Sequence, residues 1–340
     1  MVSWSRLQDQ DRAGWDAVLS CATDANPFQA YAWGEYKRRQ GWLPERWLAR
    51  DKTGRLAAGL QALRKRLPWS RTAVWAPGGP LLGFADVKTK ETASLLQSWL
   101  AASQRDDRLC YARFRCHLRA DPAWTGAFGQ ACSRPAFKID SGLSLAFDLT
   151  QPLAKLRAAM SSKHRYYVKR SEQAGIDWDF GNDAPLRRDM GRLYSEMLQT
   201  KAFAGRSFTP ETACELGEAF QEDAVFLIGK QGGEPITGCL ALQTGACAFY
   251  LMAATGAAGR KLSASYAMVA KLFEILQSRG AARFDFGGIA PATAEAAGVD
   301  HFKRGFGGEP REYVGEWDWA RPFWLRQAVS AALRLRGKAL

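Results

Sequence analysis

Histidine is scarce and cysteine is unpatterned in this chain, and both absences narrow its chemistry. Only three histidines occur, His117, His164 and His301, with no HxxxH or HxE spacing among them, so a zinc site is not expected. The seven cysteines, Cys21, Cys110, Cys116, Cys132, Cys214, Cys239 and Cys247, are odd in number and never form CxxC. They read as reduced, mostly buried small apolar side chains. No stretch approaches the roughly 18 uninterrupted apolar residues that a membrane-spanning helix needs. The N-terminus, MVSWSRLQDQDRAGWD, lacks the basic-then-apolar layout of a secretory signal. The expectation is a soluble, cytoplasmic protein without a bound cofactor.

What is present is ordinary for a folded protein except for its charge. Hydrophobic residues make up 47% and charged residues 24% of the 340 residues, enough for two domains with a buried core each. Lys and Arg number 47 against 34 Asp and Glu, a formal net charge of +13. Such an excess points to a polyanion, whether RNA, a nucleotide diphosphate or an anionic membrane face, although solubility alone is the competing explanation.

Periodicity suggests the same unit twice. Strand-like runs at 45–50, 56–66 and 72–76 precede a helix-like stretch at 89–103 and a run at 109–115; turns are expected at 51–54 and 77–80. The order β, β, β, α, β recurs at 225–230, 235–244, 247–254, 264–278 and 283–286, with a turn at 231–234 and Gly280 as a helix stop. Helix-like segments precede each half, 27–39 in the first and 193–201 plus 210–220 in the second.

A boundary is expected near Leu149-Thr150-Gln151-Pro152, which opens a helix over 152–174 containing SSKHRYYVKRSEQAG. Lys163, His164, Arg165, Lys169 and Arg170 bring together five potential cations there. A solvated helix face and a phosphate- or RNA-facing ridge are both consistent with that pattern. The C-terminal 323–340 alternates Trp324, Leu325, Ala328, Val329, Ala332 and Leu333 with Arg326, Arg334, Arg336 and Lys338. This basic amphipathic helix fits either docking on its own domain or lying on an anionic membrane.

The run FDFGGIAPATAEAAGVDHFKRGFGGEPREYVGEWDW, 284–319, sets Lys303 between two glycine-containing turns beside a strand end. Glycines there allow backbone to approach a ligand closely, whereas a plain loop packed by phenylalanines is the alternative. Asp285 reads either as a turn cap or as a general base.

These residues resemble the C-terminal signature of the Fem-type aminoacyltransferases, which build peptidoglycan interpeptide bridges from aminoacyl-tRNA. Two further stretches are similar to the family: NPFQAYAWGEYKRRQGW (Asn26 to Trp42), with Gln29, Trp33, Lys37, Gly41 and Trp42 in place, and KHRYYVKRSEQAGI (Lys163 to Ile176). The resemblance implies an α/β (α+β) fold of two tandem GNAT-like domains, mixed sheets flanked by helices. Residues 1–148 with 313–340 would form the acceptor-binding domain, and 149–312 the aminoacyl-tRNA domain. No heptad run interrupts the second half, so the chain looks like the short type without a coiled-coil arm.

The implied reaction is attack of an amine of a peptidoglycan precursor, UDP-MurNAc-pentapeptide or lipid II, on the aminoacyl ester of a tRNA. By the same resemblance Lys303 and Phe302 form the reaction centre. Lys37, Trp33, Tyr250 and either Arg206 or Lys201 bind the acceptor, while Lys163, Arg165, Lys169, Arg170 and Arg304 face the tRNA. Aminoacyl-tRNA is a co-substrate rather than a cofactor, and peripheral contact with the inner membrane surface is a further expectation. Two rivals share the fold. An acyl-CoA N-acetyltransferase would need a glycine-bearing pyrophosphate loop where this chain reads Arg260-Lys261-Leu262-Ser263-Ala264-Ser265. A Fem-like enzyme diverted to exopolysaccharide or natural-product assembly would look the same in sequence.

Overall fold

Two glycines at positive φ, Gly232 (58°) and Gly233 (82°), make the tight turn expected at 231–234, and the flanking strands pair directly across it, Gln231 with Glu234. Turns of this kind lay out the duplicated order. In this computed structural model, residues 3–84, 89–200, 209–291 and 296–335 are described, and they fall into two units: Met1–Gly142 with Glu312–Lys338, and Leu143–Arg311.

The first unit contains β1 (Ser3–Arg6), α1 (Arg12–Cys21), α2 (Tyr31–Arg39), β2 (Leu43–Arg50), β3 (Leu56–Arg66), β4 (Thr72–Gly78), α3 (Thr89–Asp107), β5 (Leu109–Arg119) and α4 (Pro122–Ala131). The second contains β6 (Leu143–Asp148), α5 (Leu153–Ala159), α6 (Ser162–Glu172), β7 (Asp177–Gly181), α7 (Ala184–Thr200), α8 (Pro210–Phe220), β8 (Ala224–Gln231), β9 (Glu234–Thr244) and β10 (Cys247–Thr255). It closes with α9 (Ala257–Lys261), α10 (Ala264–Ser278), β11 (Arg283–Gly288) and α11 (Ala297–Arg304). The chain then runs through β12 (Glu309–Ala320) into α12 (Leu325–Leu335).

Within the first unit the sheet order is β1-β2-β3-β4-β5-β12, and within the second it is β7-β8-β9-β10-β11-β6. In both, one parallel pair, β4 with β5 or β10 with β11, sits among antiparallel neighbours. Each is therefore the same mixed sheet, its sixth strand supplied from after the unit in one case and from before it in the other. In the first unit that strand is held by a buried bidentate pair: Arg113 Nε and Nη2 donate to Asp318 at 2.7 and 2.9 Å.

Two expectations are corrected. Leu143–Asp148 belongs to the second unit, not the first, because β6 pairs with β11 and buries Leu145 and Phe147 in the second core. The single helix expected over 152–174 is two: Met160 is extended, and Ser161 caps α6 by accepting from His164 N. The helix at 323–340 is described over Leu325–Leu335 and docks on its own unit, with Ser330 buried and Arg326 and Arg334 donating to the carbonyls of Arg134 (2.8 Å) and Ala136 (2.9 Å). Its Arg336 and Lys338 lie outside the described residues, and so does the expected end of the helix at Lys201.

The parallel pairs differ in length, and that difference positions the site. β4 and β5 stay in register from Thr72 opposite Leu109 to Gly78 opposite Cys116. β10 and β11 pair only from Cys247 opposite Arg283 to Phe249 opposite Asp285. Beyond that point β10 has an irregularity between Tyr250 and Met252, and β11 has one between Asp285 and Gly288. The second unit's parallel strands thus stop pairing halfway along.

Candidate active site

Asp285 is the last residue of the parallel register, and its carboxylate holds the turn that follows. Oδ1 accepts from Gly287 N at 2.8 Å and from the Ser144 hydroxyl. This is the turn-capping role expected of Asp285. Gly287 then adopts φ +77°, and a Cβ there would lie 3.1 Å from Tyr250 O and 3.4 Å from Lys303 Nζ. A side chain at 287 would fill the place the lysine occupies.

Lys303 comes from α11, not from a glycine turn as its sequence neighbours suggest. The helix ends at Gly305, so Phe302, Lys303 and Arg304 are its last turn. Lys303 Nζ donates to Gly288 O at 2.8 Å and lies 5.7 Å from the Phe286 ring centre. Burial lowers its pKa to about 8, with Asp285 and Asp300 acting in the opposite direction. Asp300, one turn earlier on the same face, accepts from Ala290 N through both oxygens (3.1 and 3.0 Å) and so ties α11 to the strand end. Sequence reasoning passed over Asp300; its place three residues before the lysine was the available signal.

Phe302 and Tyr250 pack against the Phe286 ring that faces this ammonium. Tyr250 lies edge-on to Phe286 at 4.8 Å, and Phe302 contacts Tyr266 (5.2 Å) and Phe306 (5.1 Å). His164, expected as one of the cations of α6, is buried instead, and burial lowers its pKa. Its Nε2 is 2.9 Å from Phe302 O, an atom that can only accept, so Nε2 carries the proton and Nδ1 accepts from the Ser161 hydroxyl at 2.9 Å. His164 is therefore a neutral strut between α6 and α11.

The other expected residues divide by unit. In the second, Lys163, Lys169, Arg170 and Arg304 are exposed, while Arg165 turns back to the carbonyls of Ala158 (3.2 Å) and Met160. In the first, Lys37 Nζ lies among the rings of Trp33 (5.2 Å), Tyr36 (4.8 Å) and Trp75 (5.6 Å). Trp33 is buried there as core and offers no open face to an acceptor. Arg206 and Lys201 lie outside the described residues. Among the described residues no group of three His, Cys, Asp or Glu could hold a metal ion.

Residues 218–328 match the FemAB family. That segment carries Tyr250, Asp285, Asp300, Phe302, Lys303 and Arg304. The crystal structure of FemX has the same fold (TM-score 0.80, 14% identity), covering 96% of this chain and 100% of that one. The structure of L-PGS from Bacillus licheniformis is also similar, at TM-score 0.55 and 15% identity, covering 86% of this chain and 90% of that one. A tandem GNAT protein from the clavulanic acid biosynthesis pathway matches at TM-score 0.55 and 12% identity, covering 94% and 98%. No curated protein matches the sequence. Over residues 218–328 the chain is similar to the FemAB family, and over nearly its whole length its fold is similar to that of FemX.

Proposed function

We propose that this protein is a Fem-type transferase that moves an aminoacyl group from aminoacyl-tRNA to an amine of a peptidoglycan precursor, with Lys303 stabilising the reacting carbonyl. The observation that carries this reading is the half-buried ammonium of Lys303, held where β10 and β11 part. The acceptor nitrogen attacks the ester carbon, a C–N bond forms, and the ester C–O bond breaks. The proton from the nitrogen ends on the leaving ribose oxygen. An ester needs no enzyme nucleophile for this, only alignment and a positive charge beside the developing oxyanion.

The backbone before α10 speaks for tRNA over CoA. A CoA-binding loop leaves amides free for the pyrophosphate. Here those of Arg260, Leu262, Ser263 and Tyr266 are bonded to the carbonyls of Gly256, Ala258, Arg260 and Ser263. The exposed Lys163, Lys169, Arg170 and Arg304 supply phosphate-facing charge for the tRNA in this reading, and Lys37 binds the diphosphate of the acceptor. The deciding assay mixes tRNA charged with radiolabelled amino acid, UDP-MurNAc-pentapeptide or lipid II, and the full chain. Label in a muropeptide is expected; no transfer to either acceptor, or turnover of acetyl-CoA in its place, overturns the proposal.

Two further outcomes follow. Lys37→Ala should raise the acceptor KM about 10-fold with kcat little changed, as for a lost phosphate contact made equally in ground and transition states; an unchanged KM would remove Lys37 from the acceptor site. Because only charged Lys303 stabilises an oxyanion, rates divided by the free-amine fraction of the acceptor should fall above pH about 8. Asp300 raises the Lys303 pKa, so Asp300→Asn should move that fall to lower pH. A profile identical to the wild type in Asp300→Asn would contradict the assignment.

A further inference from the structure

Four large apolar side chains stand in water at one end of the first unit's sheet. Trp69 is 86% exposed, Phe323 65%, Trp324 62% and Leu67 37%, four of the nine such side chains among the described residues. They come from segments remote in sequence, the β3–β4 turn and the exit from β12. The register brings those segments together. Arg66 pairs with Thr72, Thr72 with Leu109 and Ala320 with Tyr111, and Arg321 N donates to Cys110 O at 2.9 Å. At about 4.8 Å per strand, the hairpin tip and the start of α12 are within about 15 Å of each other.

The fold does not require this arrangement. Trp69 and Ser70 have φ of 56° and 55°, the left-handed region in which glycine or asparagine is the ordinary hairpin residue and a bulky side chain is strained. A tryptophan there buries little and stiffens nothing. Strain at a side chain that does not serve packing points to a contact outside the chain. Around it, Lys65, Arg66, Arg71 and Arg321 are all exposed. Indole and phenyl rings flanked by cations suit the headgroup layer of a bilayer whose lipids are anionic.

We propose that this end of the first unit docks peripherally on an anionic phospholipid surface, with Trp69, Leu67, Phe323 and Trp324 entering the headgroup layer and the basic side chains meeting lipid phosphates. No helix among the described residues is long and apolar enough to cross a membrane, and α12 is tied to its own unit through Arg326 and Arg334, so the contact is made by the hairpin tip and the residues leading into α12. RNA would also meet the cations, but stacking on bases gives no reason for an exposed leucine beside the tryptophan. Docking is independent of the transfer chemistry; if both hold, they favour the lipid-linked acceptor.

The test is co-sedimentation of the full chain with vesicles of phosphatidylglycerol and phosphatidylcholine, and with phosphatidylcholine alone, at about 0.1 M salt, where surface charge still acts over about 10 Å. Binding to the anionic vesicles is expected. Trp69→Asn should relax the turn and leave thermal stability equal or higher, yet weaken binding at least about 5-fold; Phe323→Ser with Trp324→Ser should do the same. Lys65→Gln with Arg66→Gln should weaken binding and flatten its salt dependence. Lys303→Met should bind like the wild type, which separates this test from the transfer assay. The proposal fails if the wild type stays in the supernatant, or if both apolar variants bind undiminished. It fails equally if bulk tRNA displaces a binding that Trp69→Asn leaves intact, since the face would then be one for nucleic acid.

Discussion

Lys303→Met should lower kcat/KM for aminoacyl transfer by about 10²–10³, the usual cost of losing one oxyanion-stabilising group, and should at the same time make the protein more stable at pH 7. Both effects come from the same burial. Lys303 has a folded pKa of about 8 against an ordinary value of 10.5, so between those pH values the unfolded chain holds a proton that the folded chain has released. The charged lysine therefore costs stability below pH 8, and that cost is relieved as pH rises through 8 towards 10.5. Removing it should gain about 1–2 kcal/mol at pH 7, allowing for its partial contact with water, and the gain should shrink above pH 8. Thermal melts at pH 7 and 9.5, beside transfer rates, check the pair of outcomes. Wild-type rates in Lys303→Met would remove the lysine from the mechanism. A lost thermal transition would show that it holds the fold instead.

Gly305→Ala should destabilise the second unit by about 2–3 kcal/mol, with transfer lost in proportion as α11 shifts. A Cβ at 305 would fall 1.8 Å from His164 Cε1. The ring cannot turn aside, because Ser161 and the Phe302 carbonyl hold its two nitrogens and Phe306 lies edge-on to it at 4.9 Å. The reason for glycine here is therefore a neighbouring side chain and not the backbone, since Gly305 has an ordinary helical φ of −66°. A double-mutant cycle exposes that cause: in a His164→Ala background the Gly305→Ala cost should fall to below about 1 kcal/mol. Equal costs in the two backgrounds would mean that the ring is not the obstacle.

Much of the fold was legible before any coordinates. The paired glycines at 232 and 233, the apolar stripe of α10 and the repeated order of strands are local signals, set by turn chemistry and by periodicities of 2 and 3.6. They led to two mixed sheets in the right places. The elements missed were those with weak local signals: β6, taken with the wrong unit, and α11, taken as a glycine turn. DHFKRG is short, and α11 is fixed by contacts from elsewhere: the Asp300 carboxylate on Ala290 N and the His164 ring on Phe302 O.

The candidate site divides in the same way. That Lys303 is a lysine next to glycines is a fact of covalent order, and resemblance alone could single it out. That its ammonium lies at the parting of β10 and β11, that it titrates near 8, and that His164 is a neutral strut and not a cation follow from burial and from partners up to 138 residues away. Charge and chirality are carried by each residue wherever it sits, but desolvation and contact exist only once remote segments have packed together. The same holds for the apolar end of the first unit. Trp69 and Trp324 are separate surface residues in the sequence, and strand register makes them neighbours.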